Sequence, residues 1–219
     1  MRKPFTICVN KMRMRNKPWA SDFLLAHPKC VQDPSVYKGK WKEHFAYENV
    51  VLEIGSGKGD YWRSMAQMNP NVLWIALEKD KNVSAVALKK TEALANGVWI
   101  VNDAANLSDW FEAGELDTIH LNFSDPWPKK GHAKRRLTSE TYTTILLTLL
   151  KQDGLIKFKT DNKLLFEYTI LQWDSIALKM EEFSVDFRRD EHPEDAITEY
   201  EQHFMDLGQV IYRAVWRKV

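Results

Sequence analysis

A chain of 219 residues, 44% hydrophobic and 28% charged, fits one globular domain or one domain with an extension. Its two cysteines, Cys8 and Cys30, show neither CxxC nor metal-ligand spacing, which excludes a disulfide scaffold and a zinc site and points to a reduced, cytoplasmic setting. No apolar run approaches the roughly 18 residues of a membrane span, and the apolar run in "MRKPFTICVNK" is too short for a signal peptide. The net charge is only +1, but it is segregated: residues 1–20 carry six Lys/Arg and no acid, residues 129–136 five Lys/Arg, and residues 181–206 ten Asp/Glu against two Arg. A near-neutral total with basic patches still permits polyanion binding, because local potential outweighs the sum.

Along the chain, residues 1–48 show little periodicity and read as a basic extension, with helix near 20–26 and 41–47. From Asn49 the pattern changes. "VVLEI" (50–54) is a buried strand running into glycines, and "DYWRSMAQM" (60–68) a helix stopped by Asn69-Pro70. "VLWIALE" (72–78) is a second strand, 81–95 a helix ended by Asn96-Gly97, "VWIV" (98–101) a third strand and "LDTIHLNF" (116–123) a fourth. A helix over 139–150, capped by Thr138 or Ser139, precedes the strand "LIKFKT" (155–160) and a helix from Lys163 to about Ala177. Alternating segments near 179–187 and 210–217 fit an antiparallel edge pair. The fold class is α/β: a doubly wound, mostly parallel sheet with an antiparallel edge strand, whose ligands bind beyond the carboxyl ends of the strands.

The first of these strands ends in "GSGKGD", with Gly55, Gly57 and Gly59. Glycines there let a ligand approach the backbone, although a tight strand-to-helix turn would also use them. GxxxxGK[ST] is absent, so this is not a phosphate-binding P-loop, and GxGxG departs from the dinucleotide fingerprint. Glu53, just before the glycines, suits a cationic ligand better than a pyrophosphate. Glu78 lies nineteen residues after Gly59, where a carboxylate reads ribose hydroxyls, and Asp103 follows the third strand within reach of an adenine edge. Together they suggest an adenosine-type cofactor without phosphates, and S-adenosylmethionine fits.

The fourth strand ends in "NFSDPWPKKGHAKRR" (122–136), where prolines at 126 and 128 stiffen the chain around Asp125 and Trp127 and a run of bases follows. "VLEIGSGKG", "NFSDPWPKK", "FKTDN" (158–162) and "TEYEQHF" (198–204) closely resemble the bacterial tRNA (guanine-N7-)-methyltransferases, from about Met12 to the C-terminus. That resemblance implies a Rossmann-like class I methyltransferase domain over 49–219 that methylates N7 of a variable-loop guanosine of tRNA. It makes Asp125 catalytic and implies cofactor contacts from Glu53, Gly55, Gly57, Glu78, Asp103 and Asp125. It implies substrate contacts from Lys129, Asp161, Thr198, Glu199, Tyr200 and Glu201, and RNA contacts from Gly131, His132, Ala133, Lys134, Arg135 and Arg136. S-adenosylmethionine is the implied cofactor and tRNA the partner; neither metal nor membrane is expected, and a homodimer is left open. The pattern departs at "NDAAN" around Asp103 and at Gly131 and Ala133, which interrupt the bases; residues 1–11 precede the resemblance and are expected to be dispensable.

Guanine N7 carries a free lone pair at neutral pH, so the chemistry needs alignment and tolerance of positive charge rather than a strong base. A carboxylate can accept guanine N1–H and N2–H together; Asp125, Asp161 and Glu201 are the candidates. The bases at 129–136 and the N-terminal arm would hold phosphates. Competing readings are an exocyclic-amine RNA or DNA methyltransferase, which Asp-Pro-Trp-Pro does not match, an NAD-dependent oxidoreductase, and a silent RNA-binding module.

Overall fold

The computed structural model describes residues 14–91, 94–174 and 176–219; the expectations for Cys8 and for a dispensable 1–11 lie outside the described residues. Eight strands form one sheet: β1 (Cys30–Val31), β2 (Asn49–Ile54), β3 (Val72–Leu77), β4 (Gly97–Ile100), β5 (Leu116–Asn122), β6 (Leu150–Thr160), β7 (Leu178–Ser184) and β8 (Tyr212–Lys218). Their order is β1-β4-β3-β2-β5-β6-β8-β7. All neighbours from β1 through β6 are parallel, and β8 runs antiparallel between β6 and β7. The switch point lies between β2 and β5, which pair in register from Val51–Thr118 to Ile54–Leu121.

The helices are α1 (Ala20–Ala26), α2 (Trp41–Phe45), α3 (Asp60–Met68), α4 (Lys81–Lys89), α5 (Leu107–Trp110), α6 (Glu140–Leu149), α7 (Lys163–Trp173) and α8 (Glu199–Asp206). Side chains alternate across the strands, and both faces of the sheet are covered. Leu52, Ile54, Leu73, Ile75, Ile119, Leu121 and Phe158 join one apolar cluster. Val51, Trp74, Ala76 and Trp99 join another with Tyr61 and Trp62 of α3 and Leu88 of α4.

Residues 14–48, which read as an extension, contribute to this body. Strand β1 pairs with β4, and Trp41 is fully buried in the larger cluster, its indole N–H donating to the Trp110 carbonyl at 2.9 Å. A two-residue strand has no periodicity to read, which is why β1 escapes sequence inspection. Helix α4 stops short of the expected 95, at Lys89; there the Thr91 hydroxyl donates to the Ala87 and Leu88 carbonyls and turns the chain, while residues 92–93 lie outside the described set. Helix α7 ends at Trp173 rather than near Ala177.

One part of the sheet breaks the apolar rule. Glu53, His120 and Lys157 are lateral neighbours across β2, β5 and β6, and Asn122, Lys159 and Arg213 across β5, β6 and β8. The pleat sends them to the face opposite Leu52 and Phe158. The acid-rich chain after β7 covers that face. Lys159, only 1% exposed, meets Asp195 at 2.6 Å and Glu201 at 3.1 Å. Arg188 reaches the same two acids at 2.7 and 2.6 Å. Arg213 lies 3.1 Å from Asp195 and 2.6 Å from Glu182, in charge contact rather than aligned hydrogen bonds. Tyr61 gives its one proton to Asp195 at 2.7 Å, so its oxygen accepts from His120 Nδ1–H at 3.0 Å. Burial alone would raise the Asp195 pKa, but the Lys159 and Arg213 charges, with hydrogen bonds from Lys159 and Tyr61, hold it well below the usual carboxylate range.

Replacing Lys159 by Met removes one of the cations that pair Asp195 and Glu201, leaving Arg188 and Arg213 beside them, and is expected to destabilise the fold by about 1.5–3 kcal/mol in urea unfolding at pH 7. Because the Asp195 pKa is depressed on folding, its contribution is complete above the unfolded carboxylate pKa of about 4 and is lost as pH falls below it. The gap between wild type and Lys159→Met should therefore narrow below about pH 4; a gap that stays constant with pH would show that the cluster is not ionic.

Candidate active site

The turn after β2 holds three glycines in the left-handed region, Gly55 at φ +82°, Gly57 at +54° and Gly59 at +77°. They do different work. A Cβ on Gly59 would sit 3.0 Å from the Trp99 ring and 3.1 Å from Ala87, so that glycine lets α3 pack closely against β4 and α4. A Cβ on Gly55 or Gly57 would meet nothing within 4 Å; these two leave open space beside the strand ends.

That space is a cleft of about 600 Å³ lined by Gly55, Glu78, Asp103, Asp125, Lys134 and Arg135, with Phe123, Trp127 and Tyr142 among its walls. It lies at the carboxyl ends of β2 to β5, where a doubly wound sheet binds its ligands. Glu78 directly follows β3. Its Oε2 accepts the Gly57 N–H at 3.2 Å and its Oε1 the Asp80 N–H at 2.9 Å, so one carboxylate braces the glycine turn and the head of α4. Asp103 accepts the Ala105 N–H at 3.0 Å and is exposed. Its charge adds to burial in raising the Tyr142 pKa.

Glu53 lies beneath this turn, 2% exposed. Burial raises its pKa to about 7, against the lowering effect of the Asn122 side-chain amide that donates to its Oε1 at 2.9 Å. Its Oε2, the Asn122 Oδ1 and the Ser124 Oγ have no hydrogen-bond partner although all three are buried. Buried acceptors are rarely left so. Their concentration at the end of β2 and β5 matches a ligand that brings donors, and an ammonium group fits that description.

The loop after β5 is shaped by two non-glycine residues in the left-handed region, Phe123 at φ +51° and Trp127 at +41°. Asp125 lies between them on the cleft wall, half-buried. The bases that follow form a 3₁₀ segment, Lys130–Arg135. Lys129, Lys130, Gly131, Lys134 and Arg135 are exposed, His132 and Ala133 less so, and the Trp127 ring is flanked by Arg135 at 5.0 Å and His132 at 5.7 Å. Arg136 differs: its guanidinium turns inward to the Pro126 and Trp127 carbonyls.

The stretch "TEYE" divides by residue. Thr198 and Glu201 form a reciprocal capping box at the head of α8, the Thr198 hydroxyl accepting the Glu201 N–H at 2.8 Å. Glu201 is fully buried and both its oxygens are held by Lys159 and Arg188. Glu199 reaches Lys58 of the glycine turn at 2.9 Å. Tyr200 is exposed with its ring 5.1 Å from Phe123, and its pKa is pushed up by burial of the hydroxyl and by the charges of Asp161 and Asp125. Those two carboxylates therefore stand around one phenol. Asp161 is half-buried, and burial raises its pKa. Lys159, Arg188, Asp195 and Arg213 went unread as parts of this site, although a lysine inside the apolar strand "LIKFKT" is itself a signal of a buried ion pair.

No helix among the described residues is long and apolar enough to cross a membrane, and no group of three or more His, Cys, Asp or Glu among them could hold a metal ion.

Comparison with known proteins places this geometry. A family model described as "Putative methyltransferase" matches residues 47–214. The tRNA (guanine-N(7)-)-methyltransferase of Bacillus velezensis is 42% identical over 212 residues, spanning 94% of this chain and 98% of that protein. The protein of the same name from Bacillus subtilis is 42% identical over 94% of this chain and 100% of its own length, and that from Streptococcus sanguinis 41% over 92% and 97%. Among solved structures, an antibiotic-related methyltransferase superposes with a TM-score of 0.62 at 15% identity, covering 82% of this chain and 93% of its own. A SAM-dependent methyltransferase from Aquifex aeolicus gives 0.56 at 12% over 91% and 98%. At such identities the likeness is one of fold, whereas the sequence matches extend over almost the whole chain: the protein belongs to the tRNA (guanine-N(7)-)-methyltransferase family.

Proposed function

We propose that the protein transfers a methyl group from S-adenosylmethionine to N7 of a variable-loop guanosine in tRNA. The observation that carries this reading is the convergence, on one cleft, of an open glycine turn braced by Glu78 with Asp125 at the foot of an exposed basic loop. Family membership points to the same chemistry.

In this reading Gly55 and Gly57 leave room for the cofactor, Glu78 and Asp103 face its ribose and adenine, and the unpartnered acceptors at Glu53, Asn122 and Ser124 receive its ammonium. Bound S-adenosylmethionine supplies an electrophilic methyl group on a sulfonium. Guanine N7 needs no deprotonation, so the residues around it align the base and accommodate charge. Asp125 and Asp161 stand around the Tyr200 phenol, where a carboxylate can accept the paired N1–H and N2–H donors, with Tyr200, held protonated beside them, and Phe123 as aromatic walls. Thr198 and Glu201 act through the helix they cap, which fixes Tyr200, and Glu199 through its pairing with Lys58. Lys129, Lys130, Lys134 and Arg135 lie outward to meet phosphates.

Incubation with bulk tRNA and labelled S-adenosylmethionine, followed by nucleotide mapping, tests the reading: 7-methylguanosine in the variable loop supports it, and label on an exocyclic amine or no label overturns it. Asp125→Asn and Asp125→Ala should each slow single-turnover methylation by ~100-fold or more, with little change in tRNA affinity, which phosphates dominate. At saturating cofactor and tRNA, where the titration of Glu53 in the cofactor-free protein no longer enters, the single-turnover rate should stay flat across neutral pH; an essential titration near neutrality under those conditions would indicate a general base instead.

Glu53 makes a separate prediction. Its folded pKa, about 7, lies above the unfolded value of about 4.3, so the cofactor-free protein loses stability as pH rises between the two and levels off above. Glu53→Gln removes that loss. Its stability advantage over wild type should grow from nothing near pH 4 to a plateau of about 4 kcal/mol above pH 7, while affinity for S-adenosylmethionine falls by about tenfold or more. Thermal melts across pH 4–8 and cofactor titrations check both; an advantage that does not change with pH would refute the buried acid.

A further inference from the structure

The loop that carries Asp125 cannot hold its own shape. Phe123 and Trp127 both occupy the left-handed region, which non-glycine residues keep only when their surroundings impose it. Pro126 and Pro128 have no N–H to donate, so this short stretch is poor in the amide bonds that normally tie a turn together. Its carbonyls need a donor from elsewhere.

Arg136 supplies it. Nε donates to the Pro126 carbonyl at 2.9 Å and Nη2 to the Trp127 carbonyl at 3.2 Å. The guanidinium carbon lies 4.2 Å from the centroid of the Tyr168 ring in α7. The backbone of Arg136 is fixed as well: its N–H donates to Ala133 at 3.0 Å, and its carbonyl accepts from Ser139 at 3.0 Å, at the head of α6. Helix α7 begins at Lys163, two residues past Asp161. One planar cation thus joins the segment bearing Asp125 to the helix that follows Asp161. Its neighbours differ in kind: Lys134 and Arg135 are exposed, and Arg135 lies over the Trp127 ring. A phosphate-binding role for the whole run would leave the Asp125 loop without this brace.

We infer that Arg136 is a positioning residue: it sets the place of Asp125 by gripping the two carbonyls that follow it, rather than contacting tRNA phosphate. This rests on the methyltransferase reading above for its effect on rate, though not for its effect on the loop. The fork geometry matters, since a lysine ammonium cannot make both bonds in the plane and stack on Tyr168.

The test compares the full-length wild type with Arg136→Lys, Arg136→Ala and Arg135→Ala. Both Arg136 variants should slow single-turnover methylation at saturating tRNA by ~10–100-fold, the scale of a small misplacement of a reacting group, and Lys should not rescue. The salt dependence of tRNA binding should keep the wild-type slope in both, whereas Arg135→Ala should flatten it by about 0.7–0.9. Hydrogen exchange at the amides of Phe123 and Ser139, which donate to the Lys159 and Arg136 carbonyls at either end of the braced segment, should quicken by about tenfold or more in both Arg136 variants, in the absence of tRNA and cofactor. Should Arg136→Ala fail to fold, Arg136→Lys alone decides. Rescue of rate by lysine, a flattened slope, or unchanged exchange in the loop would each overturn the inference. If the wild type itself does not methylate tRNA, the functional reading fails, and the exchange rates still judge the brace.

Discussion

The structure depends on how a lysine survives in the middle of a buried strand. Lys159 lies between Asn122 and Arg213 in the sheet, at 1% exposure, and only the acids brought in by the chain after β7 make that tolerable. An uncompensated charge there would cost several kcal/mol, so the segment 187–206 cannot sit elsewhere without stranding it. The same pairing that neutralises Lys159 fixes Asp195, Glu201 and the head of α8. Tyr200 is thereby delivered beside Phe123 of the cleft wall, and Glu199 beside Lys58, from a part of the chain far from the glycine turn. The neutral total charge conceals this arrangement, because the acidic segment is neutralised inside the protein and the basic loop is not.

The cleft sorts its polar groups by depth. Beneath the glycine turn lie acceptors without partners, at Glu53, Asn122 and Ser124. On the wall stand carboxylates that are half-buried or hydrogen-bonded to backbone, at Glu78 and Asp125. At the rim are exposed bases. A cationic cofactor, a neutral base rich in donors and a phosphate chain would each find the complementary layer in that order, without any residue having to serve two of them.

Much of this was legible locally. The short apolar runs "VVLEI" and "VLWIAL" report strands buried on both faces because such a run is a property of neighbouring residues, and the glycines of "GSGKG" report left-handed turns for the same reason. What escaped depends on partners far along the chain. The pairing of Glu201 with Lys159, 42 residues away, has no local signature. Thr198 and Glu201 have capping-box spacing, so α8 could have been read, but the motif was taken whole for a contact surface. Arg136 belongs by composition to the same run as Arg135, and nothing in "AKRRL" says which arginine turns inward. Short elements such as β1 leave no pattern at all.

The left-handed conformations of Phe123 and Trp127 bear on how portable this site is. A linear motif can move between proteins when its own residues favour its working shape. Here they do not: two side-chain-bearing residues sit where glycine would be at ease, held by the Lys159 carbonyl of β6, which accepts the Phe123 N–H, and by the guanidinium of Arg136, which donates to the Pro126 and Trp127 carbonyls. "SDPWPKK" excised as a peptide would relax to extended backbone, and grafted onto another sheet it would carry the letters without the geometry. The motif is inherited only together with the architecture around it, so its recurrence in a sequence marks common descent of a whole domain and not the exchange of a cassette.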